Sequence, residues 1–178
     1  NYHLYFQPKV LILKIYKTDT SQASFVHSVH FFLKDKDMIH IACNIDDNYI
    51  MQCCTTLVSV MYNNRNEQIT FHIIAEKLSN EAKSMLTEEV EKYDQQIHFY
   101  AYNLNMNLSS FKSAHISLAA YLRLFVADIL PVEIHKILYL DCDLIINDSI
   151  KDLWETDVTS YAVAAVEDMW SGKANNYT

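Results

Sequence analysis

Glycine is almost missing from this chain. Gly172 is the single one in 178 residues, where about 7% is usual. A Walker A loop and a G-x-G-x-x-G fingerprint each need several glycines. A nucleotide bound here is therefore not held by a glycine-rich phosphate loop. Positive charge is scarce too: 14 Lys and Arg face 22 Asp and Glu, for a net charge of −8. That argues against nonspecific binding to nucleic acid or anionic membrane. An anionic ligand would need a metal ion or a local basic residue. The four cysteines, Cys43, Cys53, Cys54 and Cys142, form no C-x-x-C pair, so neither a zinc ribbon nor a disulfide framework fits. They read as small buried thiols in a reducing cytoplasm. No run of about 18 apolar residues is present, so no membrane-spanning helix is expected. The first residues lack the layout of a signal peptide, and the sequons at Asn107, Asn147 and Asn176 matter only for a secreted chain.

What is there suits one globular domain with a real core. Apolar residues make up 51% and charged residues 20%, an ordinary balance. Short apolar runs predict strands over 39–45, 69–75, 97–101, 136–140 and 161–166, with a further one at 10–13. Helical spacing of apolar residues predicts helices over 49–62, 79–93 and 117–127, and a helical turn over 149–154. Asp46, Asp47 or Asn48 would cap the first helix. Residues 103–113 are polar and aperiodic, a loop long enough to cover a site. The alternation favours an α/β fold, a mostly parallel sheet with helices on both faces. The charged break at Lys34-Asp35-Lys36-Asp37 sets off residues 1–37 as a leader, either an appendage or an upstream translation of a gene starting at Met38. The organised domain is expected over 38–178. His27 and His30 have no third ligand nearby and read as packing or surface histidines.

The chemistry concentrates at two strand ends. The run Lys136-Ile137-Leu138-Tyr139-Leu140 ends in Asp141-Cys142-Asp143. Side chains at i and i+2 of a strand point to one face. Two carboxylates that close repel each other unless a cation sits between them. A hard divalent ion, Mg²⁺ or Mn²⁺, is the simplest occupant. The first strand ends in Asn44-Ile45-Asp46-Asp47-Asn48-Tyr49, more polar groups than a helix cap needs. Ligands of open α/β sheets bind outside the carboxyl ends of the strands, and in a parallel sheet both ends lie on one edge. Arg123, shortly before the second end, either reaches this crevice, where it suits a metal-bridged phosphate, or pairs with Glu133 or Asp128 on the surface.

At these residues the chain resembles glycosyltransferase family 8. Those retaining transferases include bacterial lipopolysaccharide galactosyl- and glucosyltransferases and the glycogenins. The resemblance is collinear over about 38–168. It runs through Ile41-Ala42-Cys43-Asn44-Ile45-Asp46-Asp47-Asn48-Tyr49, Ser117-Leu118-Ala119-Ala120-Tyr121-Leu122-Arg123-Leu124, Lys136 to Asp143, and Asp152-Leu153-Trp154-Glu155-Thr156-Asp157. It implies a GT-A type, Rossmann-like three-layer α/β/α fold and a UDP-hexose donor, with Mn²⁺ or Mg²⁺ on Asp141 and Asp143. It implies Asn44, Ile45, Asp46 and Asn48 around uracil and ribose, with Tyr49 stacking on the base. Cys142 would contact the donor, and Arg123 would be the catalytic arginine near donor sugar and phosphate. The hexose would pass to a saccharide or glycolipid acceptor, in lipopolysaccharide or cell-surface glycan synthesis, at a cytoplasmic or membrane-peripheral location. Two further family elements, an Asp-Gln segment and a His-x-x-Gly-x-x-Lys element, have no match here, so the chain is expected to be the front of a longer enzyme. A nucleotidyltransferase would need a glycine-rich loop. A noncatalytic remnant that keeps a UDP pocket is the reading from another class.

Overall fold

The computed structural model of the chain describes residues 10–14, 38–102 and 123–165. Its elements, in order, are β1 (Val10–Lys14), β2 (Met38–Asn44), α1 (Ile50–Asn63), β3 (Gln68–Ala75), α2 (Asn80–Glu91), β4 (Gln96–Ala101), α3 (Val126–Ile129), β5 (Lys136–Leu140), α4 (Lys151–Glu155) and β6 (Val163–Ala165). The strands form one six-stranded sheet in the order β4-β3-β2-β5-β1-β6. β3 pairs parallel with β4 and β2, and β2 pairs parallel with β5. β1 runs antiparallel between β5 and β6, so five of the six strands point one way.

Period-two burial explains the layering. From β2, β3 and β5, Ile39, Ile41, Cys43, Phe71, Ile73, Leu138 and Leu140 face one side. There they meet Cys53, Leu57, Val60 and Met61 of α1 and Ala82, Leu86 and Val90 of α2. Residues of opposite parity, Ala42, Ile74, Ile137 and Tyr139, pack with Val126, Leu130 and Ile134 on the other side. Buried on both faces, β3 is apolar almost throughout, as an inner parallel strand must be. Edge strand β4 alternates instead, with no fully buried residue.

Local signals set the ends. Asp46 caps the 3₁₀ turn Asp47–Tyr49 that leads into α1, its carboxylate accepting from the Asn48 amide at 2.8 Å. Ser79 caps α2 by accepting from the Ala82 amide. α2 ends where Asp94 takes a φ of 57°, the left-handed region that glycine usually supplies and aspartate tolerates. The next side chain, Gln95, then accepts from the Ile69 amide and donates to the Glu67 carbonyl, fastening the start of β3.

The strands expected at 39–45, 69–75, 97–101 and 136–140 are all present, with bounds unchanged or shifted by one residue. Of the run at 161–166, Val163–Ala165 is described as strand, and the turn at 149–154 is α4, Lys151–Glu155. β1 comes from the segment set apart as a leader and hydrogen-bonds along the whole of β5. The helix expected over 117–127 is described only from Arg123 onward, as a 3₁₀ turn followed by α3. The loop at 103–113, residues 117–122, His27, His30 and Gly172 lie outside the described residues.

Candidate active site

β2 and β5 are neighbours, with Ile41 opposite Leu138 and Ala42 opposite Tyr139. Two residues further along that register, Asn44 is level with Asp141. Parallel strands sit about 4.8 Å apart, so the segments 44–49 and 141–143 leave the same edge of the sheet side by side. The fold thus brings the two acidic strand ends to the same carboxyl edge of the sheet, the edge where ligands of open α/β sheets bind.

Asp141 is partly buried and pairs with Arg123, Nη2 to Oδ1 at 3.6 Å, both side chains largely out of solvent. The guanidinium also lies over the Tyr139 ring, 5.3 Å from its centroid. Burial holds the Tyr139 hydroxyl far above its usual range, opposed by Arg123 and reinforced by Asp141. Tyr139 is therefore a neutral phenol. Of the two expected placements of Arg123, its described ion pair is with Asp141 at the end of β5, not with Glu133 or Asp128. The Cys142 thiol is pushed up to about 12, first by burial, then by Cys53 and the carboxylates of Asp143 and Asp141. At neutral pH it is a thiol.

In the first segment, Asn44 is buried and Asn48 and Tyr49 are exposed, Tyr49 at 45%. Asp46 is engaged as a cap. Asp47 accepts from the Ser79 amide and hydroxyl at 3.1 and 3.2 Å, tying the segment to the start of α2. Ile45 has its side chain in the core at 2% exposure, and its amide donates to the Ile74 carbonyl. Any contact it makes with a ligand is through its carbonyl.

A row of polar side chains on α1 and its C-cap is the feature that apolar periodicity passes over. Thr56, Ser59, Asn63 and Asn64 bond the backbone of the segment 142–150. Three of them recur at i, i+3 and i+7, a helical face in its own right. That spacing was the available signal.

The aspartates suit a hard divalent ion in part. Two carboxylates at i and i+2 leave one strand end, and oxygen donors are what Mg²⁺ and Mn²⁺ prefer. Among the described residues no cluster of three or more His, Cys, Asp or Glu side chains is placed to hold a metal ion. The remaining positions would fall to ligand oxygens and water. Asp141 and Asp143 are the residues that would hold the ion.

The profile of glycosyl transferase family 8 matches residues 40–178. The chain is 31% identical over 138 residues to General stress protein A of Bacillus subtilis, covering 76% of this chain and 48% of that protein. It is 26% identical over 132 residues to lipopolysaccharide 1,3-galactosyltransferase of Salmonella typhimurium, covering 74% and 39%. Among solved structures, galactosyltransferase LgtC in complex with donor and acceptor sugar analogues superposes with a TM-score of 0.61 at 28% identity, covering 67% of this chain and 43% of that one. The chain belongs to glycosyl transferase family 8, and its fold is the GT-A type of these enzymes. It spans less than half the length of each of these three proteins.

Proposed function

We propose that the chain carries the donor-binding part of a metal-dependent, retaining hexosyltransferase that uses a UDP-sugar. The supporting observation is the pairing of β2 with β5, which brings the segment 44–49 and Asp141 to one sheet edge, with Arg123 paired to Asp141. Tyr49 offers an exposed ring for the base, and Asn44, Asp46 and Asn48 offer polar groups to uracil and ribose. Asp141 and Asp143 would hold Mn²⁺ or Mg²⁺. When bound, that ion neutralises the diphosphate. Arg123 adds a fixed positive charge in a partly buried place, where an oriented donor stabilises developing negative charge better than water does.

The acceptor is a saccharide or glycolipid, in lipopolysaccharide or other cell-surface glycan synthesis, as for the relatives named as lipopolysaccharide transferases. Among the described residues no helix is long and apolar enough to cross a membrane. We place the reaction in the cytoplasm because all four cysteines are free thiols. Two carboxylates are few for an ion that takes about six ligands, so this chain should bind UDP more readily than it transfers sugar. A thermal-shift screen of UDP-glucose, UDP-galactose and UDP-N-acetylhexosamines tests the reading. Stabilisation by UDP-sugars that requires Mn²⁺ is expected. Equal shifts by ADP-sugars, or shifts indifferent to the metal, would overturn it.

A further inference from the structure

From Asp141 to Ile150 the chain has no regular secondary structure, yet α1 holds it at intervals. Asn63 donates to the Ile146 carbonyl at 2.7 Å, Ser59 accepts from the Ile146 amide at 2.9 Å, and Asn64 accepts from the Ile150 amide at 2.8 Å. The anchor nearest the acidic pair is Thr56, which is fully buried. Its hydroxyl lies 2.9 Å from the Cys142 carbonyl and 2.8 Å from the Leu144 carbonyl, and accepts from the Leu144 amide at 3.0 Å. Those backbone groups flank Asp143 on both sides.

A threonine inside a helix commonly bonds the carbonyl four residues back. Thr55 does so, donating to Met51 at 2.8 Å. Thr56, its neighbour, turns its hydroxyl to another part of the chain. A hydroxyl offers one donor and two acceptor sites, and here they meet one turn of backbone. The β-branched side chain is stiff at χ1, so the anchor point is preset by the helix.

Asp141 pairs with Arg123. Asp143 is exposed and sits between the Cys142 carbonyl and the Leu144 amide that Thr56 binds. We infer that Thr56 is a positioning residue for the metal-binding carboxylate of Asp143. This rests on the donor-site reading above and adds the residue that aims one of its ligands. Without the hydroxyl, the backbone at Asp143 would sample more orientations, and fewer of them would suit the ion and the diphosphate together.

The test compares Thr56→Val, which keeps the shape and removes the hydroxyl, with Thr56→Ser, which keeps the hydroxyl. The first measurement is amide hydrogen exchange at Leu144 in the metal-free 178-residue chain. The second is the Kd for Mn²⁺ in saturating UDP, read from the electron paramagnetic resonance of the free ion. Thr56→Val should speed exchange at Leu144 and weaken Mn²⁺ by about 10-fold to 100-fold, the usual effect of losing an outer partner of a metal ligand. Thr56→Ser should restore both. Asn63→Leu, which cuts the anchoring at Ile146, should lower Tm and leave the Mn²⁺ Kd near wild type. Unchanged Mn²⁺ binding in Thr56→Val, or a Thr56→Ser variant as weak as Thr56→Val, would overturn the positioning role alone. Wild-type chain that binds no Mn²⁺ with UDP would overturn the donor-site reading and the positioning role with it.

Discussion

Tyr49 carries the simplest consequence of the account. Its ring is nearly half exposed beside the buried end of β2, a position suited to stacking on a base. Stacking of a base on an aromatic side chain is worth about 1–3 kcal/mol, so Tyr49→Ala should weaken UDP at least several-fold. Tyr49→Phe should keep the affinity, since the hydroxyl has no part in the stacking. Calorimetric titration of both variants checks this. At this scale some residues were legible in the sequence and others were not. Asp141 and Asp143 stood out because a paired acid at the end of an apolar run is unusual. Ile45 was legible only as a position: its side chain belongs to the core. Thr56 left only a faint trace, the polar spacing it shares with Ser59 and Asn63, because one hydroxyl beside an apolar helical stripe looks like an imperfection until the distant backbone it touches is known.

Among the elements, the parallel strands β2, β3 and β4 carry a polar line across the sheet. His40 Nδ1 lies 3.0 Å from His72 Nε2, and His72 Nδ1 lies 3.0 Å from the Tyr100 hydroxyl. The His98 ring lies tilted, 5.8 Å from the His72 ring. Burial, then the nearness of His40 and His98, lowers the His72 pKa to about 3 from an ordinary 6.5. The folded state therefore keeps this imidazole neutral, while the unfolded chain protonates it below about 6.5. The stability it permits is complete above that pH and is lost as pH falls toward about 3, with a slope on the order of 1 kcal/mol per pH unit. Urea unfolding of His72→Gln between about pH 4 and 6.5 should show a shallower pH dependence than wild type. Equal slopes would mean that His72 is not the group responsible. The strands themselves were easy to find in the sequence, because their apolar runs are short and bounded by polar turns. The histidine line was not: two-residue periodicity assigns faces to residues, whereas register between strands decides which side chains meet.

For the whole molecule, the main surprise is the origin of β1. A charged break at 34–37 separates it from the rest of the sequence, yet it lies between β5 and β6. Local pattern cannot reveal such a partner, because antiparallel addition from a distant segment leaves no mark at the junction. Its removal would expose the full edge of β5, the strand that leads to Asp141, and leave β6 without its neighbour. An unpaired apolar strand edge invites association. A chain starting at Met38 should therefore unfold at a lower urea concentration and aggregate more readily than the 178-residue chain. An unchanged unfolding midpoint would show that residues 1–37 are an appendage in energetic terms.

The central claim is that the strand ends of β2 and β5 together form a metal-dependent site for the UDP part of a donor. Calorimetric titration of UDP into the 178-residue chain, with and without Mn²⁺, measures this directly. The account predicts binding that is clearly tighter with Mn²⁺, and an Asp143→Ala variant that binds UDP equally with and without the ion. UDP affinity that is the same in both buffers for the wild-type chain, or a metal effect that survives Asp143→Ala, would contradict it.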